Sequence, residues 1–509
     1  MSPQLQTLPR LTIEVDNAPL SRDELRTLWE VRVQQRLSLP TLCELTFIEP
    51  TADFSRANAV SPGSPLTVNV FGFDEPLFTG QITAVEHIYE PSQGREVRIR
   101  GYDVLHRLRK RQPVRAHVQV TLVDLIKEVV ADLNLTVDAP VPGPLWQRLV
   151  QFHQSDFEMI AEVAERCGLY FTLRDETLYV LTLEGIGTDV TLKLGESLLE
   201  ARIELNGDTA CRSVSTTGWD PLRAEQHEGK AEEARIGCDI GVEVAPNKVG
   251  GTGERTIIDE TVANDAQAEA IAQAELDSRA AREVILRGVA EGNPQLRPGT
   301  RVQIDNVASP LAGRYVLTSV DHTFDSVKGF VSTISTAPPA QPTRPRAPVA
   351  ALGLVTRVDD PESYGRVRVK LPTFRDIETD WMGVLTPGAG LGKGLLALPD
   401  INDTVLVLLP SGDPANGIVL GGLYGTWTRE EWDWGVEQNS VKRYTLRTPG
   451  GQRVQLDDTK QLIRLENSDG SYLEMSPEKV MLHAQRDLEI EAPGRNLVIR
   501  ANKVDFQQA

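Results

Sequence analysis

Between residues 429 and 509, apolar and polar residues alternate in bursts so short that one copy of this segment cannot build a core of its own. Val454 and Leu456 share a face, as do Ile463 and Leu465, then Leu473 and Met475. Val480, Leu482 and Ala484 continue the pattern. Leu488, Ile490 and Ala492 follow, then Leu497, Ile499 and Ala501, and finally Val504 with Phe506. A period of two is the mark of strands with one buried face. Turns fall at Asp457-Asp458, Asp469-Gly470, Pro477 and Pro493-Gly494, and no helical period intervenes. Each strand offers one narrow apolar stripe, and repeats of this kind become stable only by stacking on neighbours. Three copies wound about one axis bury every stripe and leave no long free edge. The expectation from the pattern is an oligomer, against a monomeric meander.

Upstream, residues 337–349 read APPAQPTRPRAPV, whose prolines exclude helix and favour an extended, semi-rigid spacer. Residues 353–425 form short strands between Gly, Pro and Asp turns, the pattern of a small closed β-barrel. The part before the spacer mixes both periods. Strand patterns cover 11–15, 42–48, 66–73, 80–88 and 97–102, whereas 121–133 places Leu122, Leu125, Ile126, Val129, Val130 and Leu133 on one helical face. Ser155 and Glu158 form a capping box ahead of a second helix, and Gly168 stands where a left-handed C-terminal cap is needed. Residues 169–173 and 177–181 read as a hairpin around Arg174-Asp175-Glu176, and 265–283 as an Ala-rich helix.

A chain of 509 residues is expected to hold several domains. No stretch reaches the apolar length of a membrane span, and the first residues lack the basic-then-apolar run of a signal peptide. Synthesis in the cytoplasm is the expectation. A net charge of −19 repels nucleic acid, so no nucleic-acid partner is expected. Cys43, Cys167, Cys211 and Cys238 show no C-x-x-C spacing, so neither a zinc site nor a disulfide framework follows.

No constellation carries chemistry convincingly. Residues 387–394, PGAGLGKG, imitate a phosphate loop, but Pro387 occupies the place of its first glycine and Gly394 that of its Ser or Thr. Glu158, Glu162 and Glu165 lie close on one helix, with nothing to raise a carboxyl pKa for acid/base work. His153, Ser155 and Asp156 are neighbours in sequence, whereas a triad converges from separate elements. The basic run 106–115, HRLRKRQPVR, suits an assembly interface. No catalytic residue, cofactor or metal is therefore expected.

The barrel segment resembles the OB domain of the VgrG and phage baseplate hub-spike family. The matching pieces are Asp360-Pro361, the run from Gly365 to Val369, Trp381, Gly388-Ala389-Gly390, Pro399 with Asp403 and Val405, and Gly412-Asp413-Pro414 leading into Val419-Leu420-Gly421. Further resemblances lie at 151–173, at 214–221 with Gly218-Trp219-Asp220, and at 293–322, where Pro298-Gly299, Tyr315-Val316 and His322 fall where the family places them. The implied fold is mainly β with an α+β hub. Residues 1–336 are expected to form two barrel-like domains with an α/β insertion at about 105–200. An OB-fold collar is expected at 350–428, and an intertwined trimeric β-helix or prism, the needle, at 429–509.

The resemblance implies a structural trimeric central spike of a contractile injection system. It would link the hexameric inner tube to a puncturing tip and pierce the target membrane when the sheath contracts. Expected partners are inner tube proteins above the hub, surrounding baseplate proteins, effector cargo and a PAAR-type tip protein. That tip would dock on Val504, Phe506, Gln508 and Ala509. The membrane is touched only on puncture. An extracellular phage-tail-like particle is the favoured system, with release outside the cell. The alternatives are a type VI secretion VgrG spike carrying effectors and a phage baseplate spike with lytic activity. Residues 426–443 are too short for a catalytic domain between collar and needle, and the repeats run to the end of the sequence. No enzyme activity is expected.

Overall fold

The computed structural model describes residues 11–50, 60–90, 94–220, 222–223, 225–340, 347–424 and 434–507. It is mainly β and divides into two bodies, residues 1–423 and 424–509. Residues 341–346 of the proline-rich spacer lie outside the described residues.

The first body is organised on an 11-stranded sheet that serves two barrels at once. Strands such as Leu11–Val15, Leu42–Ile48 and Pro65–Val70 alternate buried and exposed residues, as half-buried strands must. Ile13, Val33, Leu45, Phe47, Leu66 and Ile99 fill the first barrel. Leu198, Leu286, Val302, Ile304, Tyr315 and Ile334 fill the second. The two meet where Leu28–Arg36 pairs antiparallel with Ser319–Asp325, nearly the whole hub apart in sequence. Arg32 Nε donates to both carboxylate oxygens of Asp321 across that seam at 3.0 Å, and Gln34 Nε2 adds a bond at 3.2 Å.

The α/β insertion has its own core. Helices Leu122–Val130 and Asp156–Arg166 pack Leu125, Ile126, Ile160 and Val163 against Trp146, Phe171 and Val180. Both helices begin with a complete capping box, from Thr121 and Asp124 and from Ser155 and Glu158. Gly168 follows the second helix at φ 63°, the left-handed conformation that glycine takes without penalty. The hairpin Tyr170–Arg174 with Thr177–Leu181 forms as its turn residues predict. Strands Ile186–Lys193 and Leu198–Leu205 pair with Thr300–Asp305 and Val284–Glu291, and so belong to the second barrel rather than to the insertion. The Ala-rich helix spans Asp265–Ala280 and lies on a three-stranded sheet containing Ser213–Asp220.

The OB barrel runs in the order Ile377–Glu378, Arg368–Leu371, Val349–Arg357, Thr404–Leu409, Ile418–Gly422, Gly383–Val384. It closes through Val367 and Met382, whose backbones exchange hydrogen bonds of 3.0 and 2.8 Å. Val355, Val369, Leu371, Val405, Val407 and Val419 fill it. The sequence of 395–409 reads as strands around the Pro399-Asp400 turn, and this is corrected: only Thr404–Leu409 is a strand. Residues 395–401 carry Leu395, Leu396, Leu398 and Ile401 exposed, with no neighbouring strand to pair with among the described residues.

The second body holds a short hairpin, Val436–Glu437 with Ser440–Val441, and a meander of five strands, Arg443–Arg447, Arg453–Asp457, Leu462–Glu466, Tyr472–Met475 and Val480–His483. The further strands expected at 488–492, 497–501 and 504–506 are not formed in the single chain. An isolated strand has no ladder for its amides and carbonyls, and these stripes find none within one copy.

Candidate docking surfaces

The register of the second body sorts its side chains by face. Leu446 lies opposite Val454, Leu456 opposite Ile463, Leu465 opposite Leu473, and Met475 opposite Val480. Tyr444 and Leu482 join them, so one side of the sheet is entirely apolar, and most of these side chains are exposed. The other side is polar and internally paired. Arg443 donates to the buried Asp457 at 2.8 Å, Arg464 bridges Glu466 and Glu474 at 3.0 Å each, and Arg453 pairs with Glu466. The Arg464 guanidinium also sits 4.0 Å above the Tyr472 ring. A free-standing globular sheet turns its apolar side inward and its ion pairs outward. This sheet buries polar Gln455 and Asp457 and leaves the leucines in water. Such a face is a docking surface.

Farther along, Leu488, Ile490, Leu497 and Ile499 are exposed, and so are the expected tip-docking residues Val504 and Phe506, the latter at 90%. Gln508 and Ala509 lie outside the described residues.

In the OB barrel, the motif residues Asp360 and Arg366 converge. Arg366 Nε and Nη2 donate to the two oxygens of Asp360 at 3.0 and 2.8 Å, with both side chains buried. The backbone amides of Glu362, Tyr364 and Arg366 also donate to that carboxylate. The Arg366 bond, aided by these amides, holds its pKa well below the ordinary range. The pair locks the turn between two barrel strands. The loop at 387–394 is a tight hairpin in which Gly390 and Lys393 exchange backbone hydrogen bonds of 3.1 Å. Gly388 and Gly392 take positive φ there, and no helix follows to present a phosphate-binding terminus.

The other candidates take structural positions. Glu158 completes the cap, and hydrogen bonds from Ser155 lower its pKa, the opposite of what a general acid needs. Glu162 accepts from Gln154 at 2.8 Å. Ser155 Oγ donates to Glu158 rather than to His153, whose ring packs edge-on to Phe152 at 4.7 Å. The basic run is largely consumed internally. Arg111 pairs with Asp132, Arg115 bonds Asp156 at 3.0 Å, and Arg109 covers the rings of Tyr102 and Phe157. His322 is fully buried between Ser332 Oγ (2.9 Å) and the Leu296 carbonyl (3.1 Å), and burial lowers its pKa to about 4.

One contact surface gave no signal in the sequence. The insertion grips the OB barrel through Phe152 on Phe374 (5.4 Å) and through Arg148, which donates to the Glu378 carbonyl. Leu222 packs on the barrel core, and Arg223 pairs with Glu362. Partners more than a hundred residues apart leave no periodic trace.

Comparison with known proteins agrees with this geometry. Residues 351–424 match the type VI secretion system/phage-baseplate injector OB domain. Residues 7–326, well over half of the chain, match the Alg8 N-terminal domain. The chain belongs to the Alg8 N-terminal domain family, and its OB barrel is VgrG-like. It is 30% identical over 131 residues to the type VI secretion system spike protein VgrG4b of Pseudomonas aeruginosa. That match spans 25% of this chain and only 15% of the relative. A second P. aeruginosa spike protein, VgrG1c, is 25% identical over 135 residues, covering 26% of this chain and 17% of its own length. Among solved structures, VgrG in the Francisella PdpA-VgrG complex superposes with a TM-score of 0.55 at 9% identity, covering 94% of this chain and 81% of that one. An E. coli type VI secretion component described as similar to T4 bacteriophage tail proteins gives 0.53 at 13% identity, covering 82% of this chain and all of its own. The two solved structures share the fold seen here.

Proposed function

We propose that the chain is the trimeric central spike of a contractile phage-tail-like injection particle that acts outside the producing cell. The observation that carries this reading is the second body's inverted sheet, whose exposed apolar side needs further copies of itself. Three copies bring these faces to a common axis, and the unformed stripes beyond His483 gain the backbone partners they lack. The hub then seats on the inner tube within the surrounding baseplate. The prism transmits the force of sheath contraction to the target membrane. A PAAR-type tip protein caps the exposed strand ends at Val504, Phe506, Gln508 and Ala509. Domain limits follow the same reading, with hub, spacer, collar and needle at 1–336, 337–349, 350–428 and 429–509. The protein works mechanically and carries no catalytic site, cofactor or metal of its own.

A type VI secretion spike carrying effectors is the second reading. The similarity to the P. aeruginosa spike proteins favours it, as does the complex of Francisella VgrG with PdpA. Purification of the tagged chain from its native cells separates the two. Sheath and tube proteins recovered in free particles outside the cell support the first, and membrane-complex partners support the second. A lytic phage spike would reveal itself by hydrolysis of peptidoglycan by the purified chain, and such activity overturns the mechanical reading.

A further inference from the structure

The sequence holds two Asn-Gly pairs, Asn206-Gly207 and Asn416-Gly417. In such a pair the glycine nitrogen can attack the side-chain amide carbon of the asparagine, because glycine puts no Cβ in the way. The two pairs sit in different surroundings, and the difference decides which of them reacts.

Asn206 follows directly on the strand Leu198–Leu205 and opens the loop that leads to Ser213–Asp220. Its backbone amide is tied down, donating to the Glu283 carbonyl at 2.8 Å. Its side chain folds forward over the next peptide, where Oδ1 accepts from the Asp208 amide at 3.0 Å. An amide N–H donates only to an acceptor, so this bond fixes which end of the side chain is oxygen. Neither Asn206 Nδ2 nor the Gly207 amide makes a hydrogen bond among the described residues. Both residues are half-buried, so water reaches them. The attacking nitrogen and the leaving nitrogen are thus both free. The Asp208 amide already points at the oxygen on which negative charge builds during attack.

Asn416 lacks this arrangement. Its Nδ2 is held by Asp413 Oδ2 at 2.9 Å, and Gly417 is buried, with Met382 Cε only 2.4 Å from where a Cβ would stand.

We propose that Asn206 is a self-modifying site of the hub. Gly207 N bonds to Asn206 Cγ, the Cγ–Nδ2 bond breaks, and Nδ2 leaves as ammonia with the proton from Gly207. Water then opens the five-membered imide and restores the Gly207 N–H. Opening at Cγ yields aspartate, and opening at the main-chain carbonyl yields isoaspartate. Either product adds a negative charge within two residues of Glu204 and Asp208. The isoaspartyl form also lengthens the main chain by one carbon, beside a glycine packed so closely that a Cβ on it would lie 2.7 Å from Val249 Cγ1. The hub thereby carries a covalent record of its age.

The full-length chain is incubated in neutral buffer, sampled over time and digested with trypsin. The peptide of residues 203–212 reports on Asn206, and fragmentation of the peptide of residues 394–429 reports on Asn416. In the folded chain, Asn206 is expected to convert about tenfold faster than Asn416, giving two separable products each about one mass unit heavier than the parent. In denaturant, where both pairs have the same flexible surroundings, their rates are expected to converge. Asn206→Gln, whose longer side chain has to close a six-membered ring, is expected to leave the 203–212 peptide unchanged. A folded chain whose Asn206 stays intact, or converts no faster than Asn416, overturns the proposal. The same change appearing in the 203–212 peptide of Asn206→Gln overturns it as well.

Discussion

Single side chains decide how firmly the collar and hub hold their shape. Asp360 and Arg366 form a bidentate, buried pair, and removing one partner strands the other's charge. Asp360→Ala is expected to destabilise the barrel by about 3–5 kcal/mol, measured by denaturant unfolding. Two buried groups in the hub respond to acid in opposite directions. His322 has its pKa lowered to about 4 by burial, so the stability of its neutral form is present above the unfolded value near 6.5 and is lost as pH falls toward 4. Asp103 has its pKa raised to about 6, chiefly by burial, so its contribution is complete below the unfolded value near 3.9 and is lost as pH rises through 6. The windows overlap, and each term is worth about 3 kcal/mol. Wild-type thermal midpoints should change little through these two groups between pH 6.5 and 4. His322→Gln should leave the Asp103 term unopposed, so its midpoint rises on acidification relative to the wild type; a midpoint that tracks the wild type's or falls below it contradicts this account. His322 was picked out by the family resemblance, whereas Asp103, which accepts from the Thr41 and Leu105 amides, gave no signal because one of those partners is 62 residues away.

Elements were legible to the extent that their determinants are local. The Ser155/Glu158 box and Gly168 bracket a helix whose ends fall where those residues place them. Ser155→Ala should cost about 1 kcal/mol in unfolding free energy, with the helix otherwise intact by circular dichroism. The hairpin around Asp175 and the alternation from 443 to 483 were equally plain, since turn chemistry and a period of two need no distant partner. What escaped was pairing between remote segments: Leu28–Arg36 with Ser319–Asp325, and the aromatic grip of Phe152 on Phe374. The apolar face of the second body belongs to this scale as well. Leu456→Asp places a charge in the middle of that face without touching the ion pairs behind it. The expected result is loss of the oligomer by size-exclusion chromatography while the first body keeps its fold. Leu456→Ile should leave assembly unchanged.

At the scale of the whole molecule, two bodies with different logics are joined in one chain. The first has closed cores in its insertion and OB barrel and folds on its own terms. The second has its ion pairs inside and its leucines outside, an arrangement that makes sense only as one part of several. The glycine-rich loop of the collar, the string most like an enzyme's, is a surface hairpin. The account therefore stands on stoichiometry. Multi-angle light scattering of the intact chain measures it directly: a mass about three times 56.1 kDa is predicted, falling to that of a single chain when residues 424–509 are removed. A stable monomer of the full-length chain, with its apolar sheet face in water, would contradict it.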